Sequence, residues 1–274
     1  MKTNKFNFVK ISVLLLATIV VMFVAGCRGK QAKDAENTSV TQKEKTFKSV
    51  TKYPIPTAFE VIKLLNNAGA SYILSLSNPI ENVDKYIPAK SKALNLGIYG
   101  ADLSYASTYQ MKQETMNYLK VSKKLIDELQ ITSAFNVEFA QRIDKNIDNK
   151  DSLIHIISDS FYDTYEFLVN NGKDNTSLLV MAGSWVEGLY ITSQIAIISK
   201  NNDDMLKIVA NQKDPLNKLI ELMKPYTNDK DISEVAEALK PLSSIFATVG
   251  TEKLTKEQSD EITKAVIKVR SGII

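Results

Sequence analysis

The 274-residue chain contains one cysteine and one histidine. With Cys27 alone, no disulfide can close within the chain and no cysteine cluster can hold a metal. With His155 alone, neither His-Glu-x-x-His nor a pair of Glu-x-x-His motifs is present, so zinc and carboxylate-bridged di-iron centres have no visible ligand set. There is no Gly-x-Gly-x-x-Gly or Walker loop to cradle a phosphate. Gly183-Ser184-Trp185-Val186-Glu187-Gly188 has neither the spacing nor the preceding strand of a nucleophile elbow. No alternating apolar and polar run marks a strand. These absences remove the familiar catalytic machinery, metals and cofactors, and they point to binding or structural work rather than an enzyme.

Charge of one sign is missing too. The formal net charge of +3 is carried by Lys2, Lys5 and Lys10; beyond them acidic and basic residues balance. Residues 53–274 alone carry −4. A nucleic-acid partner would need a basic footprint that this region lacks.

What the chain does have begins at its N-terminus. After the three lysines, Ile11 to Gly26 is a stretch of sixteen uncharged, mostly aliphatic residues. As a helix it would span about 24 Å against a hydrocarbon core of about 30 Å, which fits a secretory leader better than a membrane-spanning helix. The stretch ends in Val24-Ala25-Gly26-Cys27. That sequence resembles the lipobox of bacterial lipoproteins. The resemblance covers only the first 27 residues; it implies cleavage after Gly26, removal of residues 1–26, and diacylglyceryl and palmitate-type acylation of Cys27. Two or three acyl chains on one cysteine anchor a protein stably where one does not. Arg28 stands where enteric lipoproteins retained at the inner membrane carry aspartate, which implies the outer membrane where the organism has one. The expected location is therefore the cell envelope, with the membrane a partner through Cys27.

Residues 27–52 read as the lipidated cysteine and a polar tether. The stretch from Arg28 to Lys52 has seven basic residues against three acidic and a single aromatic, Phe47. Such a composition buries too little apolar surface to order itself, and as a coil it spans about 28 Å.

Residues 53–274 read as one all-α domain, an antiparallel multi-helix bundle-like arrangement. The spacing of apolar residues predicts helices over 56–68, 71–77, 80–86, 88–110, 113–130, 133–147, 151–171, 176–200, 203–211, 215–226, 232–248 and 255–270. Pro56 and Pro88 are expected at first helical positions, Asp214-Pro215 as a cap followed by proline, and Asp231/Glu234 and Thr255/Gln258 as capping boxes. Gly172 and Gly250 read as C-terminal stops, and Pro241 should end or kink its helix. Tyr118-Leu119-Lys120-Val121 aligns with Met205-Leu206-Lys207-Ile208, which is compatible with two related halves.

The two helices 88–110 and 176–200 carry four of the ten glycines: Gly97, Gly100, Gly183 and Gly188. Each costs about 1 kcal/mol relative to alanine inside a helix, so close approach of a backbone or a ligand must offset it. Asn95, Asp102 and Tyr109 recur every seven residues along one stripe of the first helix, and Glu187 is the one charge between Leu178 and Ile198 in the second. A helix apolar nearly all round is buried, so Glu187 needs a partner or must become neutral. If Asp102 and Glu187 face each other, they form a candidate ligand site with Tyr105, Trp185 and Tyr190, in a pocket between helices 88–110 and 176–200. His155, flanked by Asp151 and Asp159, reads as a solvated acidic helix face.

Three functions follow in order of expectation. The first is a membrane-anchored envelope lipoprotein whose helical domain binds or scaffolds an envelope protein. The second is a small-molecule receptor or carrier. The third is an enzyme using Asp102 and Glu187 as an acid–base pair.

Overall fold

A computed structural model describes residues 55–131, 137–199, 202–250 and 254–274. The leader, Cys27 and the tether lie outside the described residues. Thr51–Ile274 is one compact unit.

The described residues form ten α-helices and no strand. In chain order these are α1 (Ala58–Asn67), α2 (Ala89–Thr108), α3 (Lys112–Glu128), α4 (Val137–Lys145), α5 (Lys150–Asn170), α6 (Asp174–Ile198), α7 (Asp203–Ala210), α8 (Lys213–Met223), α9 (Lys230–Ala247) and α10 (Lys256–Ser271). The all-α, bundle-like architecture expected from periodicity is what the chain adopts. Among the described residues, no helix is long and apolar enough to cross a membrane.

α2 and α6 are the axis of the domain. α2 is buried without a break from Ala93 to Thr108, and α6 from Ser177 to Leu189. Neither has a polar face, because other helices pack around both. α3 lies on α2, α5 and α1 lie on both, and α10 lies on α6 with α9 beside it. These outer helices are amphipathic and bury one stripe each; α3, for example, buries Tyr118, Leu119, Ser122, Leu125 and Ile126.

The glycines explain how close the axis is. A Cβ on Gly97 would overlap the carbonyl oxygen of Val180 and lie 2.6 Å from the Ser184 nitrogen. One on Gly183 would overlap the carbonyl oxygen of Leu94 and lie 2.8 Å from its carbon. The two backbones therefore touch, each through the other's glycine. Gly100 admits the ring of Phe161 from α5, whereas Gly188 has ordinary room, 3.6 Å from Ala58 Cβ.

Several local expectations need correction. The helices expected at 71–77 and 80–86 are short 3-10 turns, Leu74–Leu76 and Ile80–Lys85. Pro79 lacks an N–H and disfavours helical backbone at Asn78, and the Ile73 N–H donates to the Tyr105 hydroxyl at 2.8 Å instead of to a helix. Pro88 is the N-cap of α2 rather than its first residue, and Pro56 precedes the N-cap Thr57, whose N–H is taken by Glu60 at 2.9 Å. α8 starts at Lys213, placing Pro215 in its first turn, where its missing N–H is not needed. α9 is capped two residues earlier than expected, by Asp229, which accepts from the Ile232 N–H. α9 also runs through Pro241; the Glu237 carbonyl that loses its donor belongs to an exposed residue within reach of water. The Thr255/Gln258 box forms as expected, and Gly172 takes the left-handed φ of +66° just after α5.

The aligned segments share a burial pattern: Tyr118, Leu119 and Val121, like Met205, Leu206 and Ile208, are buried around an exposed lysine. The first lies on α3 and the second on α7.

Candidate functional site: a buried charge network and an open groove

Asp102 of α2 and Glu187 of α6 are both fully buried, and close enough that the charge of Glu187 acts on the Asp102 carboxyl. The sequence posed their facing as a condition; the fold meets it, because Gly97 and Gly183 bring the two backbones together. The third member is Arg270 of α10. Its Nε donates to Glu187 Oε2 at 2.5 Å and its Nη2 to Glu187 Oε1 at 2.8 Å, a two-pronged pair. Nη2 also donates to the Leu76 carbonyl at 3.1 Å. The guanidinium carbon sits 4.1 Å above the Tyr190 ring.

Two carboxyls and one guanidinium leave the core one negative charge in excess unless a proton is held. Burial, and then the charge of Glu187, push the Asp102 carboxyl well above the usual carboxylate range. Burial raises Glu187 as well, with the bonds from Arg270 opposing it. For Arg270, burial acts downward but the bonds to Glu187 outweigh it, and its affinity for the proton rises. Asp102 is thus the acid of the pair. Its Oδ2 accepts the Asn78 N–H at 3.0 Å, while Oδ1 has no hydrogen-bond partner among the described residues.

The network extends into the 3-10 segment. The Asn78 amide donates to the Tyr86 hydroxyl at 2.9 Å, and Tyr99 donates to the Pro79 carbonyl at 2.9 Å. Asn95 donates to the Ile273 carbonyl at 3.0 Å, tying the residues beyond α10 to α2. Burial raises the phenols of Tyr86 and Tyr99, so both remain neutral donors or acceptors.

The remaining expected site residues separate. Tyr190 joins the pair through Arg270. Tyr105 belongs to an aromatic cluster with Tyr72 and Tyr109, at ring distances of 4.5 and 5.2 Å. Trp185 is buried with its indole N–H unpartnered. His155 is half-buried, and among the described residues no group of three metal-ligating side chains exists.

A groove of about 840 Å³, open on one side, runs between α9 and α10. Its floor is Leu94 of α2 and Val186 of α6; its walls carry Val235, Leu239, Ala265 and Val269. The rim is charged: Lys90, Glu234 and Glu237 on one side, Glu261, Lys264 and Lys268 on the other. None of Asp102, Tyr105, Trp185, Glu187 and Tyr190 lines it.

Arg270 is the functional residue that sequence reasoning missed. It continues the buried Ile262–Val266 stripe of α10 at spacing four, and it is one of three arginines against thirty-one lysines. An arginine on the apolar stripe of a lysine-rich chain is the signal that was available.

No family model, curated protein or solved structure matches the chain.

Proposed function

We propose that the chain is a lipid-anchored binding protein of the bacterial cell envelope, held to a membrane through Cys27, whose helical domain receives its ligand in the groove between α9 and α10. The groove carries this reading. Its volume of about 840 Å³ lies in the roughly 300–1,000 Å³ range of small-molecule sites, and an apolar floor under a charged rim is their usual make-up. The domain does its work without a reaction of its own. Asp102 and Glu187, the acid–base pair weighed from the sequence, are sealed from solvent, and Glu187 is committed to Arg270 and Asp102 to the Asn78 N–H, which supports a structural role for both. Because the groove is open along one side between two helices, it is also the surface through which protein binding, the first expectation from sequence, would run, with an amphipathic helix lying in it.

The test is native mass spectrometry of the protein from gently solubilised membranes, alongside Ala265→Trp, which fills the groove from a half-buried wall position. An adduct retained by the wild type and lost from the variant is the expected result. The same adduct on both proteins overturns the groove as the binding surface.

A further inference from the structure

Asn171-Gly172 is the one Asn-Gly pair in the chain, and both residues are exposed. With Lys173 they make up the whole connection between α5 and α6. α5 ends there in a Schellman turn: the Gly172 N–H donates to the Val169 carbonyl at 3.1 Å and the Lys173 N–H to the Leu168 carbonyl at 2.8 Å. The Asn171 carboxamide turns back and donates to the Phe167 carbonyl at 2.8 Å. Across the turn, the Lys173 ammonium donates to the Gln130 carbonyl at 3.2 Å and ties the connection to the end of α3. An asparagine before a glycine carries a reaction of its own. The glycine nitrogen attacks Cγ of the carboxamide; the N–Cγ bond forms, the Cγ–NH2 bond breaks, and ammonia leaves with the proton the glycine nitrogen gave up. Water then opens the cyclic imide at either carbonyl, leaving aspartate, or isoaspartate with the main chain rerouted through Cβ. A side chain on the second residue would crowd the ring, and glycine has none.

The closed turn blocks that ring. At the Asn171 ψ of 14° the Gly172 nitrogen nearly eclipses the Asn171 nitrogen, and so faces away from Cβ. The nucleophile's proton is held by Val169, and the group it would attack is held by Phe167. We infer that Asn171 is a deamidation site, gated by opening of the last turn of α5. That turn is an exposed helix end, the part of a fold that opens at least cost, so the reaction is slowed rather than abolished. The product does not close again as before. A carboxylate cannot donate to the Phe167 carbonyl, and it lies at the negative end of the α5 dipole. Isoaspartate also adds a main-chain carbon to a connection of three residues and moves Lys173 relative to Gln130. Deamidation is therefore a one-way loosening of the α5–α6 connection, independent of what the groove holds.

Peptide mapping by mass spectrometry follows the exchange of NH2 for OH at position 171, at pH 8, in the purified protein and in a synthetic peptide of residues 167–177. Opening the turn breaks the bonds made by Gly172, Lys173 and the Asn171 carboxamide. The protein should therefore convert roughly ten- to a thousandfold more slowly than the peptide. In urea that unfolds the chain, the two should convert alike. Gly172→Ala adds a carbon that meets nothing within 4 Å, so its effect on the turn is the strain of a side chain at φ +66°. Each protein is compared with a peptide of its own sequence, which cancels the slowing that the added methyl causes in the reaction itself. Protection in Gly172→Ala should fall about fivefold or more. Asn171→Asp, which puts the product's carboxylate on the turn, should speed amide hydrogen exchange at Gly172 and Lys173 by about fivefold. A folded protein that converts as fast as the peptide, or protection unchanged in Gly172→Ala, overturns the gating. A peptide that does not convert at position 171 overturns the site, and unchanged exchange in Asn171→Asp overturns the one-way loosening.

Discussion

Arg270→Met removes the one cation of the buried network while keeping an unbranched side chain of similar length. Glu187 then loses donors at 2.5 and 2.8 Å, the Leu76 carbonyl loses one at 3.1 Å, and Tyr190 loses the charge above its ring. The Glu187 side chain is fully enclosed and Arg270 is about 10 % exposed, so solvent does little to soften the change. Removing one partner of such a pair costs about 3–5 kcal/mol. For a domain of this size that corresponds to a fall in Tm of roughly 6–20 °C. Glu187 can escape only by taking a proton, so the loss should be larger at pH 8 than at pH 5. Glu187→Leu/Arg270→Met removes both charges and leaves the Leu76 carbonyl unpartnered, at a cost of about 1–3 kcal/mol. The double variant should therefore be more stable than the Arg270→Met single. Urea unfolding of all four proteins at both pH values, read as a double-mutant cycle, measures the coupling. A cost below about 1 kcal/mol at pH 8 for Arg270→Met, or a double variant no better than that single, refutes the argument that Glu187 depends on Arg270.

Asp102→Asn mimics the protonated acid, keeping an acceptor for the Asn78 N–H. Because the folded state raises the Asp102 carboxyl above its unfolded value, its stabilising effect is complete below the ordinary carboxylate range and is lost as pH rises through the raised value. The wild type minus Asp102→Asn difference in unfolding free energy should thus decline from pH 4 towards pH 8; a flat or rising difference contradicts the protonated assignment. Gly97→Ala and Gly183→Ala should each destabilise by about 3 kcal/mol or more, since the added carbon meets backbone that cannot move aside. Gly188→Ala, with ordinary contact at 3.6 Å, should instead stabilise by about 0.5–1 kcal/mol, and thermal melts of the three separate packing from helix propensity.

Most of the helical framework was legible because apolar spacing and caps are local. α6 stood out as apolar nearly all round and both α2 and α6 carry glycines inside them, and the depth of Glu187 follows from that. The reading failed where long-range contacts overrode local preference. Between Ser71 and Tyr86, side chains of Tyr105, Asp102 and Arg270 from later in the chain take the backbone groups of Ile73, Asn78 and Leu76 that a helix would have used. Arg270 was hidden for the same reason: its partner is 83 residues away, and spacing within one helix says nothing about the helix it meets. The groove was illegible because Leu94, Val186, Leu239 and Val269 read as ordinary core positions; only the gap left between α9 and α10 makes their edges a floor.

The distance along the chain between Glu187 and Arg270 also has a meaning in time. Synthesis at about 5–20 residues per second separates the two residues by roughly 4–17 seconds across those 83 positions. Through that interval α2 and α6 can meet, but their acid pair has no counter-ion, and dehydrating it costs more than it returns. The domain is therefore denied a finished interior until α10 has been made. On the proposed envelope location, that delay also keeps the interior unfinished while the chain is exported.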